Sequence, residues 1–357
     1  MANQANRIPI TILTGFLGAG KTTLLQRMLT EKHGKKIAVI ENEFANLDID
    51  SNLVKNKSDV LVELFNGCIC CSIQGELMES LLEIARREDP VDQVVIETTG
   101  VANPSSLVQS FLTDHLLRAV FRLDAVITVV DTKHFQQHVS ESQDFKDQIA
   151  FADLLILNKT DLVEAGELER VEEEVREINQ AAEVARTTLC SLPLENILGR
   201  FEYENSSIRP ERMAPGRKTD LPSLISSMSL EISGEMEEEK FMKWFEPFVM
   251  ANNEKMFRTK GILFFAGMSR HVVIQGVHAI FSAVYSEADL LEKGKSRMVF
   301  IGRELPREEI LAGIKQALPA FNPAGLGSFT FIGAEKNSSP LHAPKPDSNE
   351  DLRVRIV

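Results

Sequence analysis

The sequence predicts a doubly wound, mostly parallel α/β sheet followed by a smaller α+β domain. Three observations carry that expectation. Short apolar runs alternate with amphipathic stretches through the first half of the chain. Several of those runs (VVIE, AVITVV, LLIL) are apolar on both faces, and the texture changes abruptly near residue 200. A strand apolar on both faces is one covered on both sides, as the central strands of a parallel sheet are. Alternating such strands with helices gives the doubly wound layer order.

Taken in order, strands are expected at 8–13, 36–41, 60–64, 93–97, 125–131 and 153–157, with a weaker one at 183–189. Helices are expected at 21–31, 74–87, 105–113 and 164–180. From about 191 to 221 the chain turns polar and rich in Pro and Ser (ENSSIRPERMAPGRKTDLPS), with no apolar period. Such a stretch reads as a linker. Beyond it come a strand-like SMSLEIS, a helix EEEKFMKWFEPFVM, a strand pair around GILFFAG and HVVIQGV, a strand SRMVFIG and a helix PREEILAGIKQAL. The helix that carries the single Trp is expected to pack on its own sheet rather than form a docking groove. The expected division is a first domain at 1–200, a linker at 201–221, a second domain at 222–334 and a tail at 335–357. The tail's polar, proline-bearing composition predicts disorder.

Composition narrows the function classes. At 357 residues, 43% hydrophobic and 25% charged, the chain can bury a real core. Its 39 Lys and Arg stand against 52 Asp and Glu, a formal charge of −13. That balance excludes a protein whose main task is gripping phosphate backbones, which needs a basic face, so no nucleic-acid partner is expected. No run approaches the roughly 20 apolar residues that span a bilayer, so no membrane partner is expected either. The opening MANQANRIPITIL lacks a basic segment followed by a long apolar one, so no secretory signal is read. Three of the four cysteines (Cys68, Cys70, Cys71) fall within four consecutive positions. A disulfide framework would spread its cysteines, so a cytoplasmic chain with reduced, metal-ready thiols is expected.

The strongest motif is GFLGAGKTT, residues 15–23, directly after a strand and opening a helix. It satisfies G-x-x-x-x-G-K-[ST] with Gly15, Gly20, Lys21 and Thr22, which makes the first domain a P-loop NTPase fold. Gly15, Gly18, Ala19 and Gly20 let successive backbone N–H groups turn inward around phosphates, while the helix opening at Lys21, Thr22 and Thr23 presents its positive end. Lys21 would reach the β- and γ-phosphates, and the Thr22 hydroxyl would ligate Mg²⁺. The second motif, VVIETTG, ends a strand with Glu97, which can hold the same Mg²⁺ directly or through water. Three residues on, Gly100 would offer its N–H to the γ-phosphate. Lys21, Thr22 and Glu97 are the candidate catalytic residues.

The third motif is NKTD, Asn158 to Asp161, after the strand DLLIL. The Asp161 carboxylate can accept from the paired N1–H and N2–H₂ donors of guanine, a pair adenine lacks. A site built on matched hydrogen bonds discriminates by several powers of ten. Asn158 would support the loop and Lys159 would lay its stem over the base. The nucleotide expected is GTP, with GDP as product.

The thiol motif NGCICC, residues 66–71, follows the strand LVEL. Thiolates suit Zn²⁺ and related borderline or soft ions, although affinity order alone also admits Co²⁺, Ni²⁺ or Cu. Adjacent Cys70 and Cys71 point apart on an extended backbone, so three thiols on one ion are not expected and further ligands must come from elsewhere. Glu41 and Glu43, in IENEF, end the second strand on the edge that carries the glycine loop. His115 is a further candidate, as are His134 and His138 at helical spacing, although no carboxylate or Cys obviously joins that pair. Cys190 reads as a buried small side chain.

These motifs together resemble the CobW-like P-loop GTPases, grouped with HypB and UreG, and most closely the YjiA-type branch. The resemblance rests on GFLGAGKTT, IENEF, NGCICC, VVIETTG, QIAFADLLILNKTDL, QGVHAIFSA and SRMVFIGREL, and spans about residues 8 to 320. It implies a GTPase that binds a transition metal at C-x-C-C and delivers it to a metal-requiring client protein, with a CobW-type C-terminal domain at 222–334. Glu41, Cys68, Cys70 and Cys71 are the expected metal ligands. Many relatives read ENEFGE where this chain reads ENEFAN, with Ala45 and Asn46. If the missing acidic side chain is a ligand in relatives, affinity or metal choice differs here. Many also carry a His-rich store, and this chain has no His between His138 and His271.

The expected mechanism is a nucleotide-gated metal carrier, in which the γ-phosphate orders loops that complete the thiolate site. No catalytic Gln or arginine finger is evident, so slow intrinsic turnover is expected, accelerated by a client or by a second copy in a homodimer. Two other readings stay open: a signalling GTPase with redox-sensing cysteines, and a metal-sensing or storage module with a structural nucleotide.

Overall fold

The computed structural model describes residues 7–41, 60–64, 73–203, 224–286 and 290–319. The chain divides into two compact units, Met1–Glu172 with Ala182–Ser207, and Glu173–Ala181 with Ile208–Val357. The linker expected at 201–221 lies almost wholly outside the described residues, and the tail at 335–357 lies wholly outside them.

The first unit is built on seven described strands: β1 (Ile8–Gly15), β2 (Ile37–Glu41), β3 (Val60–Leu64), β4 (Gln93–Glu97), β5 (Phe121–Asp131), β6 (Leu154–Asn158) and β7 (Glu183–Arg186). They form one sheet in the order β3-β2-β4-β1-β5-β6-β7. Every described pairing in it is parallel, where the sequence predicted a mostly parallel sheet. The apolar runs explain why. Val94, Val95, Ile96, Val126, Ile127, Val129, Leu155 and Ile156 are all fully buried, so both faces of the central strands are covered. Each such side chain contributes roughly 1.5–3 kcal/mol by leaving water.

Connecting helices are α1 (Lys21–Thr30), α2 (Ile73–Ala85), α3 (Ser105–Thr113), α4 (His115–Val120), α5 (Phe135–Glu141), α6 (Gln143–Phe151) and α7 (Ala165–Ile178). Sequence periodicity alone did not resolve α4 and α6. Their start signals were nonetheless present. The Asp114 carboxylate accepts from the N–H groups of Leu116 and Leu117 at the start of α4. Ser142 accepts from Phe145 at the start of α6, both being N-caps of the expected kind. Strand β5 begins four residues before its expected start, since Arg122 and Asp124 hide its apolar pattern. Conversely, β7 ends at Arg186 rather than 189, because Leu189 and Cys190 take left-handed backbone angles (φ 52° and 53°) that no strand accommodates.

Strand β1 lies between β4 and β5, so the chain winds outward in both directions from it. Ligands of open parallel sheets bind in the crevice this reversal opens at the carboxyl ends of the strands. The register across that edge is continuous: Leu64 of β3 pairs with Glu41 of β2, Glu41 with Glu97 of β4, and Glu97 with Leu13 of β1.

In the second unit β8 (Ile225–Ser233), β9 (Met256–Leu263), β10 (Val272–Val277), β11 (Ile280–Tyr285) and β12 (Lys295–Arg303) form an antiparallel sheet in the order β11-β10-β9-β12-β8. Strand β11 was not expected as a separate element. It follows β10 through a tight turn in which His278 adopts φ 53°. Helices α8 (Glu238–Ala251) and α9 (Arg307–Ala317) supply Phe241, Phe245, Phe248, Ile310 and Ile314 to a core shared with Met228, Leu230, Ile274 and Phe300. The Trp-bearing helix thus packs on its own sheet. Trp244 lies so close to Gly313 of α9 that a β-carbon there would fall 1.8 Å from the indole, which leaves room for glycine alone.

Candidate nucleotide and metal site

The glycine loop leaves β1 and enters α1 with three glycines at positive φ: Gly15 (142°), Gly18 (73°) and Gly20 (114°). At Gly15 a β-carbon would lie 2.3 Å from the Val129 carbonyl oxygen, so strand β5 dictates the residue as firmly as the angle does. No side chain caps the start of α1, and its first turn carries no acidic residue. The positive end of the helix thus suits an anionic ligand. Lys21 is buried, and its ammonium donates to the Gly15 carbonyl at 2.9 Å. Thr22 is exposed on the same turn, with Thr23 half-buried behind it.

Glu97 ends β4 and is 2% exposed. The next residue ties this strand end to β1, because Thr98 donates its N–H to Leu13 (2.9 Å) and its hydroxyl to that of Thr14 (2.8 Å). Gly100 then passes so near the P-loop that a β-carbon would sit 2.6 Å from Leu17, which is why glycine stands there. Sequence reasoning missed the residue that fixes this loop. Gln148 of α6 is fully buried, and its amide donates to the carbonyls of Gly100 (3.0 Å) and Ala102 (3.2 Å). Its signal was a polar side chain inside the apolar QIAFADLLIL.

Asn158 ends β6 and bridges three segments. Its amide donates to the Ala19 carbonyl of the P-loop at 2.9 Å, and its oxygen accepts from the Cys190 N–H at 2.9 Å and the Thr187 hydroxyl at 3.3 Å. Lys159 follows at φ 61° and Asp161 is exposed to solvent. Cys190 is buried, as its sequence reading held, with its sulfur 3.5 Å from the Gly20 carbonyl. Burial pushes that thiol up to about 12, despite the opposing pull of Arg27 and Lys159. A buried thiol of this kind stays protonated near neutral pH. Arg27 of α1 closes the arrangement by donating to the Cys190 and Leu192 carbonyls.

The histidine pair has a carboxylate neighbour that sequence reasoning did not find. Asp131, at the end of β5, is 2.9 Å from His134 Nδ1 and 2.7 Å from the Lys159 ammonium. Burial pushes the Asp131 carboxyl up, but hydrogen bonds from Lys159 and His134 outweigh it and hold the group below its ordinary range. His138 faces Phe16 of the P-loop with ring centroids 4.5 Å apart, and packs on Phe145. Burial lowers its pKa. His115 is exposed at the first turn of α4.

Of the expected transition-metal ligands, Cys68, Cys70 and Cys71 lie outside the described residues, as does Glu43. Glu41 is described for its backbone alone. Among the described residues no group of three or more His, Cys, Asp or Glu side chains could hold a metal ion. Geometry still fixes one relation. Glu41 shares its register row with Glu97, with Leu64 at the end of β3 before the thiol motif, and with Leu13 of β1, two residues before Gly15 opens the glycine loop. At about 4.8 Å per strand, β3 and β1 lie roughly 14 Å apart along that row. For Mg²⁺ the hydroxyl of Thr22 and the carboxylate of Glu97 are hard oxygen donors, which fit that ion.

A glycine loop, a strand-end carboxylate and an Asn-Lys-Thr-Asp loop, gathered at the reversal of a parallel sheet, define a P-loop nucleotide hydrolase. The family model "CobW/HypB/UreG, nucleotide-binding domain" matches residues 9–186, and "Cobalamin synthesis protein cobW C-terminal domain" matches residues 225–318. The chain belongs to the CobW/HypB/UreG family, and it is a GTPase. It is 36% identical over 316 residues to the zinc chaperone YjiA of Escherichia coli, covering 86% of this chain and 98% of that one. Similarity to the zinc chaperone CobW of Pseudomonas aeruginosa is 33% identity, covering 87% and 92%. The zinc-regulated GTPase metalloprotein activator 1 of Schizosaccharomyces pombe is 38% identical over 208 residues, which cover 56% of this chain and 51% of that one. The crystal structure of zinc-bound YjiA GTPase from E. coli superposes with a TM-score of 0.74 at 30% identity, covering 88% of this chain and all of that one. Among the described residues no helix is long and apolar enough to cross a membrane.

Proposed function

We propose that this GTPase is a zinc chaperone whose C-x-C-C site is gated by the nucleotide. The observation that carries the reading is the register row Leu64–Glu41–Glu97–Leu13. The strand that precedes the thiol motif, the strand that ends in a candidate zinc ligand and the strand that ends in the Mg²⁺ carboxylate all finish on the row of Leu13, two residues before β1 reaches Gly15 of the P-loop. Ordering of one of these loops then has one to three strand spacings to cross to reach the others.

Gly18, Ala19, Gly20, Lys21, Thr22 and Thr23 bind the phosphates, and Gly100 meets the γ-phosphate. Asn158, Lys159 and Asp161 hold guanine. Thr22 and Glu97 hold Mg²⁺, which supplies positive charge to the phosphates when bound. Lys21 neutralises the charge that develops as the terminal phosphate departs. With GTP present, contacts to the third phosphate draw the Glu97–Gly100 loop and its neighbour after Glu41 into one arrangement. In that arrangement Glu41, Cys70 and Cys71, with Cys68 alongside, hold zinc. Hydrolysis removes the contacts and opens the site to a client that needs the metal. Thiolate with carboxylate suits zinc, and three relatives carry zinc in their names. Ala45 and Asn46 supply no further carboxylate, so zinc held here exchanges readily. The first domain spans 1–200 and the CobW-type domain 222–334.

Linkage provides the test. If GTP tightens zinc binding, zinc tightens GTP binding by the same factor, typically about five- to 150-fold. The dissociation constant of a non-hydrolysable GTP analogue, measured with and without one equivalent of Zn²⁺, is expected to fall with zinc while that of GDP stays constant. An analogue affinity indifferent to zinc would overturn the gating.

A further inference from the structure

The carboxyl end of β5 meets the Asn158–Asp161 loop twice. The backbone N–H and the hydroxyl of Thr132 both donate to the Asn158 carbonyl, at 3.1 and 2.8 Å. One residue earlier, the Asp131 carboxylate reaches the Lys159 ammonium at 2.7 Å. Asp131 is 2% exposed and its oxygens are divided in function. Oδ1 accepts from the backbone N–H groups of Lys133 and His134 (3.0 and 3.3 Å), while Oδ2 accepts from Lys159 and from His134 Nδ1 (2.9 Å). Lys159 itself sits at φ 61°, an angle a non-glycine residue holds only when its surroundings require it.

From this geometry we infer that Asp131 is a positioning residue for guanine: it anchors the Lys159 ammonium so that the aliphatic stem lies flat along the base, with His134 orienting the carboxylate. The inference rests on the reading that Asn158–Asp161 is the base site. A flexible Lys free to rotate would forfeit affinity each time it was ordered by nucleotide, since immobilising a long side chain costs free energy on binding. A partly buried, charge-assisted hydrogen bond fixes that order in advance. The competing account is that Asp131 only caps the turn into α5 through Oδ1.

Asp131→Asn separates the two accounts, because the amide keeps an oxygen for the backbone N–H groups while removing the charge that holds Lys159. The expected result is a GDP and GTP affinity weakened about tenfold, the size of one lost charged hydrogen bond. The loss falls on KM, with kcat at saturating GTP moving less than about twofold. Lys159→Met is expected to weaken binding similarly, and the double variant Asp131→Asn/Lys159→Met no more than Lys159→Met alone. Additive losses in that cycle, or an Asp131→Asn protein with unaltered KM, would overturn the inference. Asp161→Asn tests the underlying reading by itself, since an amide there should shift preference from guanine to xanthine nucleotides. A protein that makes that shift yet ignores Asp131→Asn would reject the positioning role alone. One that does not make it would reject the base site.

Discussion

Strand β5 carries two buried aspartates, seven residues apart, at opposite edges of the same sheet, and they are pushed in opposite directions. Asp124, near the amino-terminal edge, accepts from the Thr11 hydroxyl (2.8 Å), the Gln93 amide (2.9 Å) and the N–H groups of Gly199 (3.2 Å) and Phe201 (2.6 Å). These donors are neutral and Lys35 acts only at longer range, so burial wins and its pKa is raised. Asp131, at the carboxyl edge, touches an ammonium and an imidazole, and its pKa is lowered. One edge uses a carboxylate to join strands and loops. The other keeps its carboxylate charged beside the Lys159 ammonium. Ligands of open parallel sheets bind at the second edge, outside the carboxyl ends of the strands.

Substitutions at the two edges are expected to differ in what they damage. The largest effect is expected from Lys21→Ala, which removes the buried ammonium of the P-loop. GTP hydrolysis should fall by about 100-fold or more in a steady-state phosphate-release assay, with the fold preserved by circular dichroism. Asp124→Ala should do the reverse. It leaves four donors without their acceptor and costs about 2–4 kcal/mol in denaturant unfolding, while KM for GTP stays unaltered. A nucleotide defect in Asp124→Ala would erase the distinction between the edges.

A smaller effect separates the two carboxylates by pH. The folded pKa of Asp131 lies below its ordinary 3.8, so the unfolded chain binds its proton first. Its stabilisation is present above that value and lost as pH falls through the folded one. Asp124 has the opposite sign. Its folded pKa lies above 3.8, so ionisation is penalised at neutral pH and the penalty is relieved as pH falls. Unfolding midpoints taken between about pH 3 and 6 should therefore show a shallower acid loss in Asp131→Asn than in the parent, and a steeper one in Asp124→Asn. Parallel profiles would contradict the assignment.

The same contrast explains what could be read in advance. The central strands were legible because VVIE and LLIL are apolar whichever face is counted, and Gly15–Thr23 because the spacing is demanded by the phosphates. Glu97 and Asn158 followed from their places at strand ends. The beginning of β5 was not legible, since Arg122 and Asp124 look like loop until their partners at Thr11, Gln93 and Phe201 are known. Asp131 and Gln148 were missed for a related reason. Each acts on a segment distant in sequence, Lys159 in one case and Gly100 in the other, and polar groups satisfied by tertiary partners leave no periodic trace. The thiol motif is read from its clustering alone, a signal independent of the fold, and its residues lie outside the described ones.

The central claim is that nucleotide state sets zinc affinity at Glu41, Cys70 and Cys71. Its most direct test is competition for Zn²⁺ against a chromogenic chelator under reducing conditions, with a non-hydrolysable GTP analogue, with GDP and with neither, in the parent and in the Cys70→Ser and Cys71→Ser variants. Tightest binding with the GTP analogue, abolished in both variants, is the predicted result. Equal zinc affinity in all three nucleotide states would contradict it.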